Sequence, residues 1–288
     1  MSTEQDAIHP ENELEVLLQR AKQLGEEGDW ETAAEHLREA LPEWPEDPTL
    51  LCWLGVAERE LGLDGIAYER FRAAVGMEPD DPVLLAIAGT ALASFDDPDA
   101  EGALRTAALL APDESSVRWR YGAFLSREGF GEQAMEELDA AVRLDPESAI
   151  AYYERGVARA LEGHTDLAVD DFARSVELHG DDPWTRSMLG LALVVAGRVE
   201  ESVLELDLAG GHGLDPRAHL LAALAYAAFE DDGAWRHLEM ARGAAEGTET
   251  LVVEEVEGRL QEGPEAARAF LVKTLAPTTF RERLMERP

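Results

Sequence analysis

The chain has a single cysteine, Cys52, among its 288 residues. An internal disulfide is therefore excluded, and a thiol with no companion residue at a catalytic spacing is not expected to act as a nucleophile. Low cysteine content is typical of proteins from a reducing compartment. We therefore expect a cytoplasmic protein.

Long apolar runs are also missing. No run reaches the roughly 18 residues that suggest a membrane span. Residues 1–10 carry Glu4 and Asp6 and lack the apolar core of a secretory signal. These two absences predict a soluble chain.

Positive charge is scarce. The chain has 25 basic and 60 acidic residues, a net charge of −35, and its lysines are Lys22 and Lys273 alone. Such an excess of acid repels phosphate backbones and anionic membrane surfaces, so we expect neither nucleic acid nor membrane as a partner. A basic protein partner would be attracted instead. The arginine preference fits coding bias or a high-salt habitat equally well.

Recognisable catalytic patterns are absent as well. The seven histidines are scattered without metal-ligand spacing, and no phosphate loop, dinucleotide fingerprint or Gly-x-Ser-x-Gly elbow is found. Acids abound, but at the junctions between helices they are expected to cap helix starts. The sequence therefore predicts no enzyme, no metal site and no cofactor.

What the sequence does contain is a helical pattern with a period of 34 residues. Gly122 and Gly156 are one period apart, as are Ala134 and Ala168. A small residue recurs where two helices must touch, and this period is the mark of stacked helix pairs. The small residue of each first helix is followed through Ala21, Gly55, Gly89, Gly122, Gly156, Gly190 and Ala222. The last step of this series is two residues shorter than the period.

The pattern divides the chain into four kinds of segment. We expect a flexible arm at 1–13, a repeat array at 14–248, capping helices at 249–276 and a basic amphipathic tail at 277–288. The predicted repeats lie near 14–47, 48–81, 82–114, 115–148, 149–182, 183–214 and 215–248.

Over residues 14–242 this pattern resembles the tetratricopeptide repeat family. The match is carried by the Leu-Gly steps at 54–55 and 189–190, the alanines at 33, 67, 134 and 168, the large residues at 37, 71, 138 and 172, and the closing prolines at 45, 79, 112 and 146. The resemblance implies an all-α, right-handed superhelical solenoid of about seven helix pairs plus a C-terminal capping pair. It also implies a non-catalytic role in protein binding.

Members of the family usually bind partners on the concave face of the first helices. The resemblance implies these groove residues here: Cys52, Val56, Arg59, Trp119, Arg120, Tyr153, Val157, Trp184, Leu191, His219 and Tyr226. Some members clamp a C-terminal carboxylate with a Lys/Asn/Arg set, but Asn12 is the only asparagine of this chain and lies outside the predicted first helices.

Two interpretations of the groove residues stay open. Their aromatic side chains recur about once per repeat, which favours a groove for an apolar peptide or helix. The same side chains could equally pack between neighbouring first helices. The leading hypothesis for function is an adaptor or scaffold that binds a peptide or helix of a basic or apolar partner. The alternative is a self-assembling protein or assembly factor whose C-terminal helices and tail form an oligomer contact or an autoinhibitory contact, and the oligomeric state stays open.

Overall fold

The computed structural model describes residues 10–179, 182–211, 216–228, 233–245 and 249–274. Within these ranges the regular structure is entirely α-helical, as predicted. The helices are α1 Pro10–Glu26, α2 Trp30–Ala40, α3 Pro48–Glu60, α4 Asp64–Gly76, α5 Pro82–Ala93, α6 Asp99–Leu110, α7 Ser115–Arg127, α8 Gly131–Leu144, α9 Ala149–Leu161, α10 Thr165–Leu178, α11 Pro183–Val195, α12 Val199–Gly211, α13 Pro216–Ala228, α14 Gly233–Ala244, α15 Glu249–Glu262 and α16 Pro264–Thr274.

The two predicted terminal segments lie largely outside the described residues. Helix α1 begins at Pro10, so the last residues of the predicted arm belong to a helix. Proline suits the first position of a helix because its missing N–H would have no partner there. The rest of the arm, 1–9, and the tail, 277–288, lie outside the described residues.

The chain folds into two compact units, residues 1–124 and 125–288. In the N-terminal unit, α3 packs with α4 and α5 packs with α6 as hairpins. In the C-terminal unit, α9 packs with α10, α11 with α12 and α13 with α14. The second helix of a hairpin also packs on the next first helix, as α4 does on α5 and α10 on α11.

Close contact inside several hairpins depends on a glycine of the first helix. A Cβ on Gly156 would lie 2.9 Å from the ring of Phe172, and a Cβ on Gly55 would lie 3.0 Å from the ring of Phe71. Both phenylalanines are completely buried. The periodic small residue predicted from the sequence therefore leaves room for the large side chain of the second helix.

The turns and caps follow the predicted junction chemistry. Asp81 accepts hydrogen bonds from the backbone N–H groups of Val83 and Leu84 at the start of α5. Ser148 caps α9 in the same way by accepting from the N–H of Ala151. A side-chain oxygen at this place satisfies a backbone donor that the helix itself leaves unpaired.

Helix α13 follows residues 212–215, which lie outside the described part of the chain. Ala222, the small residue predicted for this helix, is completely buried, and so is Ala223. The short step between the sixth and seventh repeats therefore stays a prediction.

The last two helices pack in an unusual way. Helix α15 contacts both α13 and α14, which is the position that a following first helix takes in this array. Helix α16 contacts α15 but packs more extensively on α13. The final hairpin therefore folds back toward α13.

No helix in the described part of the chain has both the length and the apolar character needed to cross a bilayer.

Candidate partner-binding site

The predicted groove residues of the N-terminal unit divide into one core residue and several half-exposed ones. Cys52 is 1% exposed and belongs to the apolar cluster around Phe71. Burial raises the pKa of its thiol to about 12, so it stays protonated and unreactive. Val56 packs half-buried against the same cluster, and Arg59 lies 3.6 Å from Glu60. Cys52 therefore offers no surface to a partner, whereas Val56 and Arg59 do.

Trp119 and Arg120, in α7, form a pair of their own. The Arg120 guanidinium carbon lies 4.1 Å from the centre of the Trp119 ring, a cation–π contact. Its Nη1 also donates to the carbonyl oxygen of Ser116 over 2.8 Å. Both side chains are half-buried. The pair can still meet a partner through its exposed half, with the arginine already held in place.

In the C-terminal unit, most predicted groove residues are core residues. Tyr153 and Val157 are each 3% exposed, and Leu191 is 6% exposed. The Trp184 indole N–H donates to the Tyr153 hydroxyl over 2.7 Å, which joins α11 to α9. This is the packing between neighbouring first helices that the sequence left open. Among these four residues only Trp184 keeps a half-exposed surface.

His219 and Tyr226 stay predicted groove residues. Their side chains meet His237 of α14 within the same hairpin. The Nδ1 atoms of His219 and His237 are 3.1 Å apart, and the Tyr226 ring stacks on His237 at 5.2 Å. His219 is buried by these contacts, whereas Tyr226 is half-buried and keeps some exposed surface.

A cleft of about 710 Å³ lies in the C-terminal unit where α9 and α11 start and α10 ends. Its walls are Ser148, Ala149, Ile150, Tyr153, Ser175, His179, Asp182, Pro183 and Thr185. The volume lies in the range of protein ligand pockets, which is roughly 300–1,000 Å³. Two successive repeats build it, since α9 and α10 form one hairpin and α11 begins the next.

Ser175 and Asp182, two polar residues of the cleft wall, already have hydrogen-bond partners. Ser175 donates its hydroxyl proton to the carbonyl oxygen of Ala149 over 2.8 Å. Asp182 accepts from the backbone N–H groups of Trp184 and Thr185 and from the Thr185 hydroxyl. Ile150 lies half-buried beside these groups, and its exposed part is the apolar surface that a partner can contact. The cleft therefore suits an apolar side chain better than a buried charge.

The sequence pattern does not predict the cleft. It predicts only that acids at the junctions cap helix starts, as Asp182 does for α11. A periodic sequence pattern cannot show that the end of α10 leaves a gap between the starts of α9 and α11. The size of such a gap depends on the angles at which the helices cross.

The described residues contain no group of three or more histidine, cysteine or acidic side chains arranged to hold a metal ion. The histidine pair of α13 and α14 is packed under an aromatic ring and is not part of such a group.

Comparison with known proteins decides the family. The family model described as "Tetratricopeptide repeat" matches residues 18–82 and 125–183. This is a tetratricopeptide repeat protein. Proteins of this family serve in general as scaffolds for protein–protein interaction and not as catalysts.

Solved tetratricopeptide repeat structures share the fold. The Cut9–Hcn1 hetero-tetramer of the APC/C superposes with a TM-score of 0.71 at 18% identity, covering 85% of this chain and 49% of that one. A tetratricopeptide repeat protein from Parabacteroides merdae superposes with a TM-score of 0.60 at 15% identity, covering 88% of this chain and 98% of that one. At these identities the likeness shows the fold alone.

One curated relative matches by sequence, Superkiller complex protein 3 from Mus musculus, at 24% identity over 163 residues. The match covers 55% of this chain but only 10% of that protein.

Proposed function

We propose that this tetratricopeptide repeat protein is a non-catalytic adaptor that holds a segment of a partner protein. The cleft between the starts of α9 and α11 carries the proposal, because it offers an open apolar surface framed by polar groups that are already satisfied. A partner can fill it with an apolar side chain without leaving a buried polar group unpaired.

The charge of the chain indicates what should flank that apolar side chain. Asp145 and Glu147 are exposed and directly precede Ser148 in the cleft wall. With a net charge of −35, the whole surface draws basic segments toward it. The proposed ligand is therefore a peptide or helix with a bulky apolar residue next to arginine or lysine. A cytoplasmic setting is part of the same proposal, since the one cysteine is free and buried.

The test is a selection of random 12-residue peptides displayed on phage against the full-length protein, at low and at high salt. We expect enriched sequences that combine a bulky apolar residue with basic neighbours. A selected peptide is then synthesised and titrated by fluorescence anisotropy. Ile150→Arg, which puts a long cation in the cleft, should weaken binding at least tenfold.

Leu204→Arg is the matched control, because Leu204 is 64% exposed on α12 and lies outside the cleft wall. This variant should bind the peptide like the wild type. No enrichment at either salt concentration, or equal binding by Ile150→Arg, would show that the cleft is not a partner site.

A further inference from the structure

The cleft at the starts of α9 and α11 sets two requirements for whatever fills it. Ile150 offers an apolar surface in the cleft wall, and Asp145 and Glu147 are exposed where the chain enters α9. An occupant therefore needs a bulky apolar side chain with a positive charge close to it. One segment of the chain itself has this composition.

The tail, residues 277–288, combines bulky apolar residues with arginines. Phe280 is followed by Arg281, and Leu284 directly follows Arg283. Three arginines against two glutamates make the tail positive, whereas the chain as a whole has a net charge of −35. The other segments outside the described ranges contain neither lysine nor arginine. Among these segments, the tail is therefore the one that suits an acidic surface.

The tail follows a helix that is packed into the C-terminal unit. Gly263, between α15 and α16, has a φ of +109°, a conformation that residues with a Cβ rarely adopt, and it turns α16 back onto α13. Ala267 of α16 is completely buried, and Phe270 is half-buried against the apolar cluster that contains Leu220 of α13. Helix α16 ends at Thr274, so the tail is anchored close to its own start.

The cleft lies within reach of this anchor. Helix α16 packs on α13, and α13 contacts α11, whose start forms part of the cleft wall. The axes of packed helices lie about 8–10 Å apart, so α16 and α11 are separated sideways by roughly 20 Å at most. The 13 residues of α11 add a length of about 20 Å, which brings the greatest separation to roughly 28 Å. The stretch from Thr274 to Leu284 spans about 33 Å when it is extended.

We propose that the chain's own tail occupies the cleft and closes it to partner segments. Leu284 then lies on Ile150, and Arg283 lies close to Asp145 and Glu147. The inference rests on the proposed function, because it takes the same cleft as the binding site. It adds what fills the cleft when no partner is present, so a partner segment binds only by displacing the tail.

The covalent connection makes even a weakly binding tail an effective competitor. A segment on a short flexible linker is present at an effective concentration on the order of millimolar. A tail whose own dissociation constant is about 0.1 mM would therefore weaken the binding of a free peptide about tenfold. A partner segment that binds more tightly than the tail still displaces it.

The test compares full-length proteins that differ only in the tail. In the variant with both Phe280→Asp and Leu284→Asp, carboxylates replace two apolar side chains, and the tail should leave the cleft. The matched control carries Thr278→Asp and Thr279→Asp, which adds the same two charges and keeps both apolar residues. Fluorescence anisotropy measures how each protein binds the phage-selected peptide and a labelled synthetic peptide of residues 277–288.

The variant that lacks Phe280 and Leu284 should bind both peptides at least tenfold more tightly than the wild type does. Ile150→Arg, introduced into this variant, should remove that difference. The threonine control should bind both peptides as the wild type does. In hydrogen exchange without peptide, residues 149–153 should exchange faster in the variant than in the wild type or the control.

Three results would overturn the inference. If the selected peptide binds the cleft equally well in the wild type and in the variant, the proposed function stands but the tail does not fill the cleft. If neither peptide binds any of these proteins, the proposed function and the inference fail together. If light scattering shows a dimer that becomes a monomer in the variant, the tail binds to a second copy and not to its own cleft.

Discussion

Both compact units bury charges between three successive helices, with opposite signs. In the N-terminal unit Glu58 of α3 lies between Arg38 of α2, at 3.1 Å, and Arg70 of α4, at 3.3 Å. In the C-terminal unit Arg155 of α9 lies between Asp139 of α8, at 2.8 Å, and Asp171 of α10, at 2.7 Å. Arg159 adds a second bond to Asp171 at 2.7 Å.

The outer partners correspond in position, and the central residue does not. Arg70 and Asp171 each come three residues after the alanine of their second helix, at 67 and 168. Arg38 and Asp139 each come five residues after the equivalent alanines at 33 and 134. Glu58 comes three residues after Gly55, as Arg159 does after Gly156, whereas Arg155 directly precedes Gly156. The two units therefore join three successive helices by ion pairs of opposite sign, with the central charge placed differently.

The buried charges of both sets are stabilised by their ion-pair partners and not by solvent. The side chains of Glu58 and Asp171 are 2% and 4% exposed. Burial alone would lower the pKa of Arg155, but the hydrogen bonds and charges of Asp171 and Asp139 outweigh it and raise the pKa. Such groups are costly to leave unpaired, although a well-packed apolar replacement of the whole set can be neutral.

The largest effect is expected from removing one buried carboxylate. Asp171→Asn leaves Arg159 without its carboxylate and Arg155 with Asp139 alone, and it should lower the free energy of unfolding by about 3–5 kcal/mol. Glu58→Gln should cost about 3 kcal/mol, since its arginines reach solvent more easily. Urea denaturation followed by helical circular dichroism measures both. Glu177→Gln, which removes an exposed partner of Arg174, is the control and should change little. Costs equal to the control would show that the buried pairs do not hold the helices.

Reversing the signs sharpens the comparison. Glu58→Arg alone places three arginines together and should prevent stable folding of the hairpin. Combined with Arg38→Asp and Arg70→Asp, it reverses all three charges and places an arginine where Arg159 lies in α9, and it should recover at least half of the lost stability in the same denaturation experiment. If the triple variant is no more stable than Glu58→Arg, the two arrangements are not interchangeable.

The glycines of the first helices are expected to act alike in both units. Gly55→Ala and Gly156→Ala bring a methyl group against Phe71 and Phe172 and should cost about 1–3 kcal/mol each. Gly102→Ala, at a helical position with nothing within 4 Å of the added Cβ, should stabilise by about 0.5–1 kcal/mol. Thermal denaturation midpoints distinguish the two signs. A stabilising change at Gly156 would mean that the Phe172 ring can move aside.

The smallest effect is expected from the thiol of Cys52. This residue lies four positions after the start of α3, where α9 has Tyr153. The pKa of the Cys52 thiol is raised from 9.0 to about 12 by burial, so above pH 9 the unfolded chain loses a proton that the folded chain keeps. Stability should therefore fall as pH rises from about 9 toward 12, by at most about 1.4 kcal/mol per pH unit. Urea denaturation of the wild type and of Cys52→Ala at pH 8 and pH 10 isolates the contribution of the Cys52 thiol to the pH dependence of stability. An identical pH dependence in both proteins would contradict it.

The sequence predicts the helix pairs well, because small and large residues must recur wherever hairpins are stacked. Gly55 with Phe71 and Gly156 with Phe172 confirm that logic. The division into repeats remains our proposal. The ion pairs escaped prediction because a position that holds glutamate in one repeat and arginine in another leaves no periodic signal.

The binding surface was less predictable than the fold. The family resemblance places Tyr153, Val157 and Leu191 on a groove, yet large side chains at these positions fill the gaps between neighbouring first helices. His219 and Tyr226 of α13 contact His237 of α14, a contact that the periodic pattern does not predict. A return of α16 onto α13 depends on the conformation of Gly263, which residue identity alone does not fix.

The central claim is that a partner segment occupies the cleft at the starts of α9 and α11. Hydrogen exchange of the full-length protein with and without a selected peptide tests it most directly. The account predicts slower exchange in residues 149–153 and 183–187, with residues 199–206 of α12 unchanged. Protection that appears only outside those two segments would contradict it.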